Sequence, residues 1–411
     1  MRRREVIAAG ALAVAGTLLA GCGGSGGAGG KSTVTMWTYP VIVDEKQHQA
    51  FWDAAEKEFE KKNPKIDVKV EIFPWANRDE KLTTAMAGGK GPDVGYLIPD
   101  QLPKYAPNIE PYDDHISPEA KKAYRPAALK ATTVDDQLMG APLLMSSNPL
   151  ICNKKVFDAV GEKDYPTTWD EMLKLAPKFK AKGYDITTYN GDATATLNMT
   201  YYPLLWQAGG DVFSEDGKSV AFNSPQGVKA LKFLRTLADK GYTEKSALTK
   251  ANLNIEQTKI GRNKVACTWQ HQPIEVEKFW GKENIHVVGP LKDDQQVTYG
   301  TVGALSMFKK AQNKDAAAKW INFVTSKKIM DEYDKKSQFY SPLDGNDLYA
   351  DDPVSGAMEK TLDKVDVGPL YEKARDVMGV LAPELQAALT GKKSPEQALE
   401  DAEKAAKGIT G

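Results

Sequence analysis

Between Val34 and Ile98 the chain reads Val34-Thr35-Met36-Trp37, a helical pattern from Glu45 to Lys62, Ile66-Asp67-Val68-Lys69-Val70-Glu71-Ile72, a second helical pattern from Asp79 to Ala87, and Val94-Gly95-Tyr96-Leu97-Ile98. The first run is short, apolar and β-branched. Asp44 then stands as a cap, and Phe51, Trp52, Ala55 and Phe59 recur at helical spacing until Asn63-Pro64 stops them. Ile66, Val68, Val70 and Ile72 alternate with polar residues, as a half-buried strand does. Gly88-Gly89 ends the second helix. A β-α-β-α-β order predicts a mostly parallel sheet with helices on both faces, so the fold class is α/β.

The pattern resumes downstream. Thr168 caps a helix carrying Met172, Leu173, Ala176 and Phe179, and Ser224-Pro225 opens another with Val228, Leu231, Leu234 and Leu237 on one face before Gly241. Asp216-Gly217 between Val212-Phe213 and Val220-Phe222 predicts a hairpin. Val265 to Trp269 and Ala304 to Phe308 read as strands, Asn313 to Tyr333 as one helix, and the last sixty residues as helical with a Ser394-Pro395 cap. With 411 residues, two domains are expected.

Composition narrows the classes. Lys plus Arg is 54 against 55 for Asp plus Glu, which gives no net attraction to nucleic acid or anionic lipid. Three cysteines exclude a disulfide-dense scaffold and a four-cysteine zinc site. The four histidines form no H-E-x-x-H, and Gly88 to Gly91 lacks the Lys-Ser/Thr pair of a phosphate loop. Gly23 to Gly27 matches G-x-S-x-G only formally, with no strand before it and no helix after it. No cofactor and no metal are expected.

Arg2, Arg3 and Arg4 precede an uncharged stretch from Val6 to Ala20, too short to span a bilayer and of signal-peptide length. It ends in Leu19-Ala20-Gly21-Cys22, which resembles the bacterial lipobox, and a Gly-rich tether follows to Gly30. The expectation is a signal peptide over 1–21, a tether over 22–30, and attachment by acyl chains on Cys22 to the extracytoplasmic face of the cell membrane.

One further set of segments carries a resemblance. Met36-Trp37-Thr38-Tyr39 is followed by Phe59-Glu60-Lys61-Lys62-Asn63-Pro64 and Gly91-Pro92-Asp93-Val94. Ala141-Pro142 then precedes Asn153-Lys154-Lys155-Val156-Phe157, Tyr165-Pro166-Thr167-Thr168-Trp169-Asp170-Glu171, Gly209-Gly210 and the strand ending at Trp269. In this order and spacing the chain resembles the extracellular solute-binding proteins of ABC importers, the maltose-binding-like group of carbohydrate uptake. The resemblance implies a two-domain Venus flytrap of type II with its ligand in the cleft. One domain would take 31–143 plus 300–340 and the other 146–297 plus 341–411, with crossings near 144–148, 296–300 and 339–342. It also implies a monomer, no catalytic residues, an oligosaccharide ligand, and permease subunits with a cytoplasmic ATPase as partners. Another small polar solute in the same fold, or a lipid-anchored carbohydrate-acting enzyme, are the alternatives.

Sugars offer apolar C–H faces and hydroxyl edges, so their sites need flat aromatic rings beside polar side chains. Trp52, Trp169, Trp206 and Trp320 lie on apolar helix faces or first turns and read as core. Trp37 and Trp269 end strands, where α/β folds place ligands, and Tyr39 is a further stacker or else a turn residue. By resemblance, Asp100 is a hydroxyl-binding carboxylate, its rival reading being a helix cap. Ser146 and Asn148 fall in the first crossing, where family members often have an acid. Leu197-Asn198-Met199 spans another contact region, where Leu197 replaces the usual acid and Asn198 or Tyr202 is the candidate. His271 and Gln272 lie in a polar loop after Trp269, where His271 is either a hydroxyl partner or a solvated side chain. Cys152 and Cys267 fall on strands of the second domain by the same alignment. The compartment permits a disulfide, but the favoured reading is two small buried hydrophobes.

Overall fold

The computed structural model describes residues 31–250 and 254–410; the signal, tether and lipid-site expectations for residues 1–30, Cys22 included, lie outside the described residues. In chain order the strands are β1 (Ser32–Thr38), β2 (Ile66–Ile72), β3 (Val94–Leu97), β4 (Thr133–Val134), β5 (Gln137–Leu138), β6 (Ala141–Met145) and β7 (Leu150–Asn153). There follow β8 (Asp185–Thr187), β9 (Val265–Thr268), β10 (Ile285–Gly289), β11 (Thr298–Tyr299), β12 (Val302–Met307) and β13 (Val365–Asp366).

Two sheets organise them. The first runs β2-β1-β3-β12-β6 and the second β10-β7-β9-β8. The opening β-α-β-α-β segment gives β2, β1 and β3 in parallel, joined by helices α1 (Glu45–Lys62) and α2 (Arg78–Ala87). Asp44 accepts from the Gln47 N–H and opens α1, whose buried face is His48, Phe51, Trp52, Ala55 and Phe59. The sheet is mixed rather than mostly parallel, because β12 returns from the second sheet and pairs antiparallel with both β3 and β6. The second sheet is antiparallel except for β8 with β9.

Each sheet has its own core. Trp52, Phe59, Trp320 and Tyr333 pack over the first, and Phe157, Phe179, Leu231 and Leu385 over the second. Trp52, Trp169, Trp206 and Trp320 are buried, as the helical period requires. The chain crosses between the sheets from β6 to β7, from β10 through β11 to β12, and again after Tyr340, which bridges Met145 before the chain reaches the helix Pro353–Glu359. β11 pairs with β13 in a small parallel ribbon of its own.

Three further expectations are corrected. The hairpin near Gly217 shrinks to one bridge, Phe213 to Val220, because Ser214 hydrogen-bonds Asp216 and Ser219 and takes over the turn that a ladder would hold. The helix expected from Asn313 to Tyr333 is two, Lys314–Val324 and Lys327–Ser337. The Thr325 hydroxyl donates to the Ile321 carbonyl at 2.8 Å and the Ser326 hydroxyl to the Phe323 carbonyl at 2.6 Å, and such side-chain competition ends a helix. Finally, Cys152 and Cys267 are not free: the register of β7 against β9 sets them opposite one another, and they form a disulfide. Among the described residues, no helix is long and apolar enough to cross a membrane.

Candidate ligand site between the two lobes

The wall built by the first lobe starts where β1 ends. Tyr39 is buried and stacks on Trp75 with ring centroids 4.9 Å apart, while the Trp75 indole N–H donates to the Pro40 carbonyl at 2.9 Å. Burial pushes the Tyr39 hydroxyl up to about 12, so it stays protonated at any physiological pH. After β3 a single 3₁₀ turn, Pro99–Gln101, presents Asp100. The neighbouring Gln101 amide fixes that turn, accepting from the Ile98 N–H and donating to Asp79 at 2.6 Å.

The crossing strands form the floor. The Ser146 hydroxyl accepts from the Thr301 N–H at 3.1 Å, and the Asn148 N–H donates to the Tyr299 carbonyl at 2.8 Å. From the second lobe, the Gln272 amide donates to the Asn148 side-chain oxygen at 2.7 Å and to the Ser147 carbonyl at 2.9 Å. That arrangement leaves the Asn148 amide nitrogen as a donor with a fixed direction.

Two cavities adjoin here. A larger one of about 590 Å³ takes in Ser146, Asn148, Gln272, Tyr299 and Met199. A smaller one of about 230 Å³ takes in Asp100, Thr194, Thr196, Asn198 and Arg375. Asn198 lines the smaller and Met199, next to it in sequence, the larger. Tyr299 of the larger cavity feels Asp100 of the smaller: burial first and then the charge of Asp100 push its hydroxyl up to about 12. Arg375 donates two hydrogen bonds to one oxygen of Asp100, from Nε at 2.9 Å and from Nη2, so one ion pair ties the lobes together.

Several side-chain polar atoms are buried without a partner among the described residues, those of Asp100, Asn148 and Asn198 on residues that line the cavities. On the first lobe and the floor they are Arg78 Nε, Asp100 Oδ1 and Asn148 Nδ2; on the second they are Asn198 Oδ1, the Tyr202 hydroxyl, Trp269 Nε1 and Gln270 Nε2. A buried donor or acceptor left unmade costs roughly 1–3 kcal/mol. Donors and acceptors occur together, which suits a ligand whose groups both give and accept hydrogen bonds, as hydroxyls do.

The structure therefore brings Ser146, Asn148 and Gln272 together in one cavity, with Asp100 and Asn198 in the next. Asp100 bonds Arg375 and is no helix cap. Tyr39, Tyr202 and Trp269 are buried behind these walls; Trp269 tilts toward Tyr189 at 6.4 Å. His271 sits beside Glu275 at 3.7 Å, at the start of the helix Pro273–Trp280. Trp37 is placed elsewhere, packed on Phe73 and lining a cavity of the first lobe with Thr33, Thr35 and Glu71. The period of two along β1 explains this, since residues 33, 35 and 37 share one face of the sheet. Sequence reasoning missed Arg375 and Tyr299. The apolar run Val41-Ile42-Val43 ahead of the Asp44 cap was a readable signal, because cavity walls are often apolar.

Residues 44–331 match the family model described as bacterial extracellular solute-binding protein. The chain belongs to that family. As a member of the bacterial extracellular solute-binding proteins it is a carrier of solute and not an enzyme. Its relatives include the multiple sugar-binding protein of Streptococcus mutans, 25% identical over 79% of each chain. Solved structures of the same fold include a cyclic α-maltosyl-1,6-maltose binding protein from Arthrobacter globiformis, with a TM-score of 0.80 at 19% identity, covering 93% of this chain and 99% of that one. The sugar-binding protein MalE of Xanthomonas citri also has a TM-score of 0.80, at 21% identity over 92% and 97% of the two chains. At those identities the likeness establishes the two-lobed fold.

Proposed function

We propose that this solute-binding protein captures an oligosaccharide between its lobes and delivers it to the permease of an ABC importer, held at the extracytoplasmic face of the membrane through Cys22. The observation that carries the reading is that Asp100 Oδ1, Asn148 Nδ2 and Asn198 Oδ1, on cavity-lining residues of the first lobe, the crossing and the second lobe, are buried without a partner among the described residues. Asp100, Ser146, Asn148, Asn198, Tyr202, Trp269 and Gln272, joined by Tyr299 and Arg375, are its binding residues. Neutral amide and hydroxyl groups predominate, and the one exposed cation of the smaller cavity is already matched by Asp100, which suits a neutral polyhydroxyl solute. The carbohydrate names of relatives from Streptococcus mutans and Bacillus subtilis point the same way.

A carbohydrate-acting enzyme would need two carboxyl groups facing each other across the scissile bond. Asp100 instead faces a guanidinium, which supports retention of the sugar over its hydrolysis.

Titration calorimetry with di- to tetrasaccharides, and with polyols and amino acids as controls, tests the reading. A micromolar or tighter dissociation constant for one sugar class, about -8 kcal/mol, is expected. Asn148→Ala should then weaken binding by roughly 1–3 kcal/mol, the cost of leaving a ligand hydroxyl unpaired. Binding of a polyol or amino acid alone would keep the fold and refute the sugar assignment.

A further inference from the structure

The larger cavity has an uneven chemistry. Its polar floor lies at Ser146, Asn148 and Gln272, but the walls above carry Val41, Val43, Met199, Ile274, Phe339 and Tyr340, supplied by both lobes. Of the five charged residues among its lining, Asp44, Glu275 and Lys282 are committed to local structure, Lys336 lies 3.8 Å from Glu332, and Glu277 makes no ion pair among the described residues. Asp44 caps α1 through the Gln47 N–H, Glu275 accepts from the Gln272 N–H, and Lys282 is bound to Asp352. Of the floor groups, Ser146 and Gln272 are already hydrogen-bonded, and Asn148 Nδ2 is the buried donor still unpartnered.

Its mouth is apolar too. Among the described residues three large apolar side chains are exposed: Val43, Ile274 and Tyr371. Val43, 90% exposed, comes from the first lobe and Ile274, 45% exposed, from the second, and both line this one cavity. Exposed apolar side chains scattered singly call for no explanation, but two that line one cavity from the two lobes both present apolar surface to whatever occupies it. A ligand group seated between them would cover both. The smaller cavity differs, with Asp100, Thr194, Thr196, Asn198 and Arg375 among small residues, and it suits the hydroxyl-bearing part of the solute.

We propose that the larger cavity is a subsite for an apolar substituent on the end sugar, so that the solute is a glycoside carrying an aglycone or acyl group. This rests on the carbohydrate reading above and narrows it. The hydroxyl edges lie along Asp100, Asn198 and the crossing strands. One acceptor atom of the end unit meets Asn148 Nδ2, and the apolar group lies between Val41, Val43 and Ile274. Asn198 lines the smaller cavity and Met199, next in sequence, the larger, and Tyr299 of the larger feels the charge of Asp100 in the smaller, so a single ligand with a polar and an apolar end is the natural occupant. A partner chain seated on the lips would not reach the unpartnered donor at the floor.

The test uses matched pairs: maltotriose, cellotriose and lactose, each beside its p-nitrophenyl glycoside, titrated into the purified full chain. For the sugar that binds, the aryl glycoside should be held at least about tenfold more tightly, a difference of about 1.4 kcal/mol. Val43→Asn combined with Ile274→Asn, at two exposed positions, should bring that ratio back toward one. A ratio near one in the native protein overturns the subsite and leaves the sugar assignment standing. A ratio that survives the double substitution overturns the role given to the lips. No binding by any pair overturns this inference and the carbohydrate reading together. If the double variant keeps the ratio but loses uptake in cells, the lips serve the permease, and their role in the subsite is again refuted.

Discussion

His48 is fully buried on the inner face of α1, its imidazole accepting from the Trp52 indole N–H at 3.2 Å. Burial disfavours its charged form and holds its pKa down to about 4. In the unfolded chain the value returns to about 6.5, so between pH 6.5 and 4 the unfolded state binds a proton that the folded state refuses. Stability therefore rises with pH across that window, and acidification from pH 7 to 4 should remove up to about 3 kcal/mol through this residue alone. Urea unfolding at both pH values, for the native protein and for His48→Gln, isolates the effect; equal pH dependence in the two would refute it. The helical period already placed position 48 one turn before Trp52, on the buried face, and only its polarity hid it. Asn148 and Gln272 were legible because resemblance located the crossing and the loop after Trp269. Arg375 was not, since the carboxylate it meets is 275 residues away in sequence and no local pattern records that. Trp37 shows the opposite failure: its place at a strand end was legible, but the face it occupies follows from the alternation along β1.

At the scale of elements, capping chemistry was the most readable signal. Asp44, Thr168 with Glu171, and Ser224 ahead of Pro225 each open a helix where side chain and backbone make the bonds that a first turn requires. Pairing of short strands was less readable, because β7 and β9 each have four residues and meet across more than a hundred. Register alone decides that Cys152 faces Cys267. The disulfide closes a loop of sequence separation 115 and restricts the unfolded chain, a stabilisation typically of about 2–4 kcal/mol. Both cysteines are fully buried, so dithiothreitol should act on the folded protein slowly, by way of opening. The paired substitutions Cys152→Ser and Cys267→Ser should lower the urea midpoint, and prolonged reduction of the native protein should lower it to a similar degree. An unchanged midpoint in the variant would show that β7 and β9 are held by their packing alone. The same element scale explains why Lys314–Val324 and Lys327–Ser337 are separate: the apolar period continues through the break, and two hydroxyls seeking carbonyls interrupt it.

For the whole molecule, the consequence lies in how the lobes are balanced. Three chain crossings join them, and across the open side of the smaller cavity the Asp100–Arg375 pair links a turn after β3 to the helix Ala374–Leu389. A ligand closes such a molecule only by binding the closed form better than the open one, and any contact made in the closed form alone adds to the same balance. Arg375 is half exposed, so the pair is worth no more than about 1 kcal/mol, and salt screens it. An energy of that size moves a two-state equilibrium roughly fivefold, enough to alter the unliganded population while leaving the saturated one closed. Small-angle scattering should therefore give unliganded Arg375→Gln a larger radius of gyration than the native protein at low ionic strength. About 1 M sodium chloride, where the screening length falls to about 3 Å, should expand the native protein toward the same value. With saturating sugar the two should coincide. If Arg375→Gln matches the native protein without sugar, the pair follows closure and does not bias it. If the variant stays expanded with sugar, Arg375 contributes through ligand contact more than through Asp100. Asp100→Asn separates these roles, because it removes the charge partner and keeps a hydrogen-bonding side chain in the cleft, and it should reproduce the unliganded expansion.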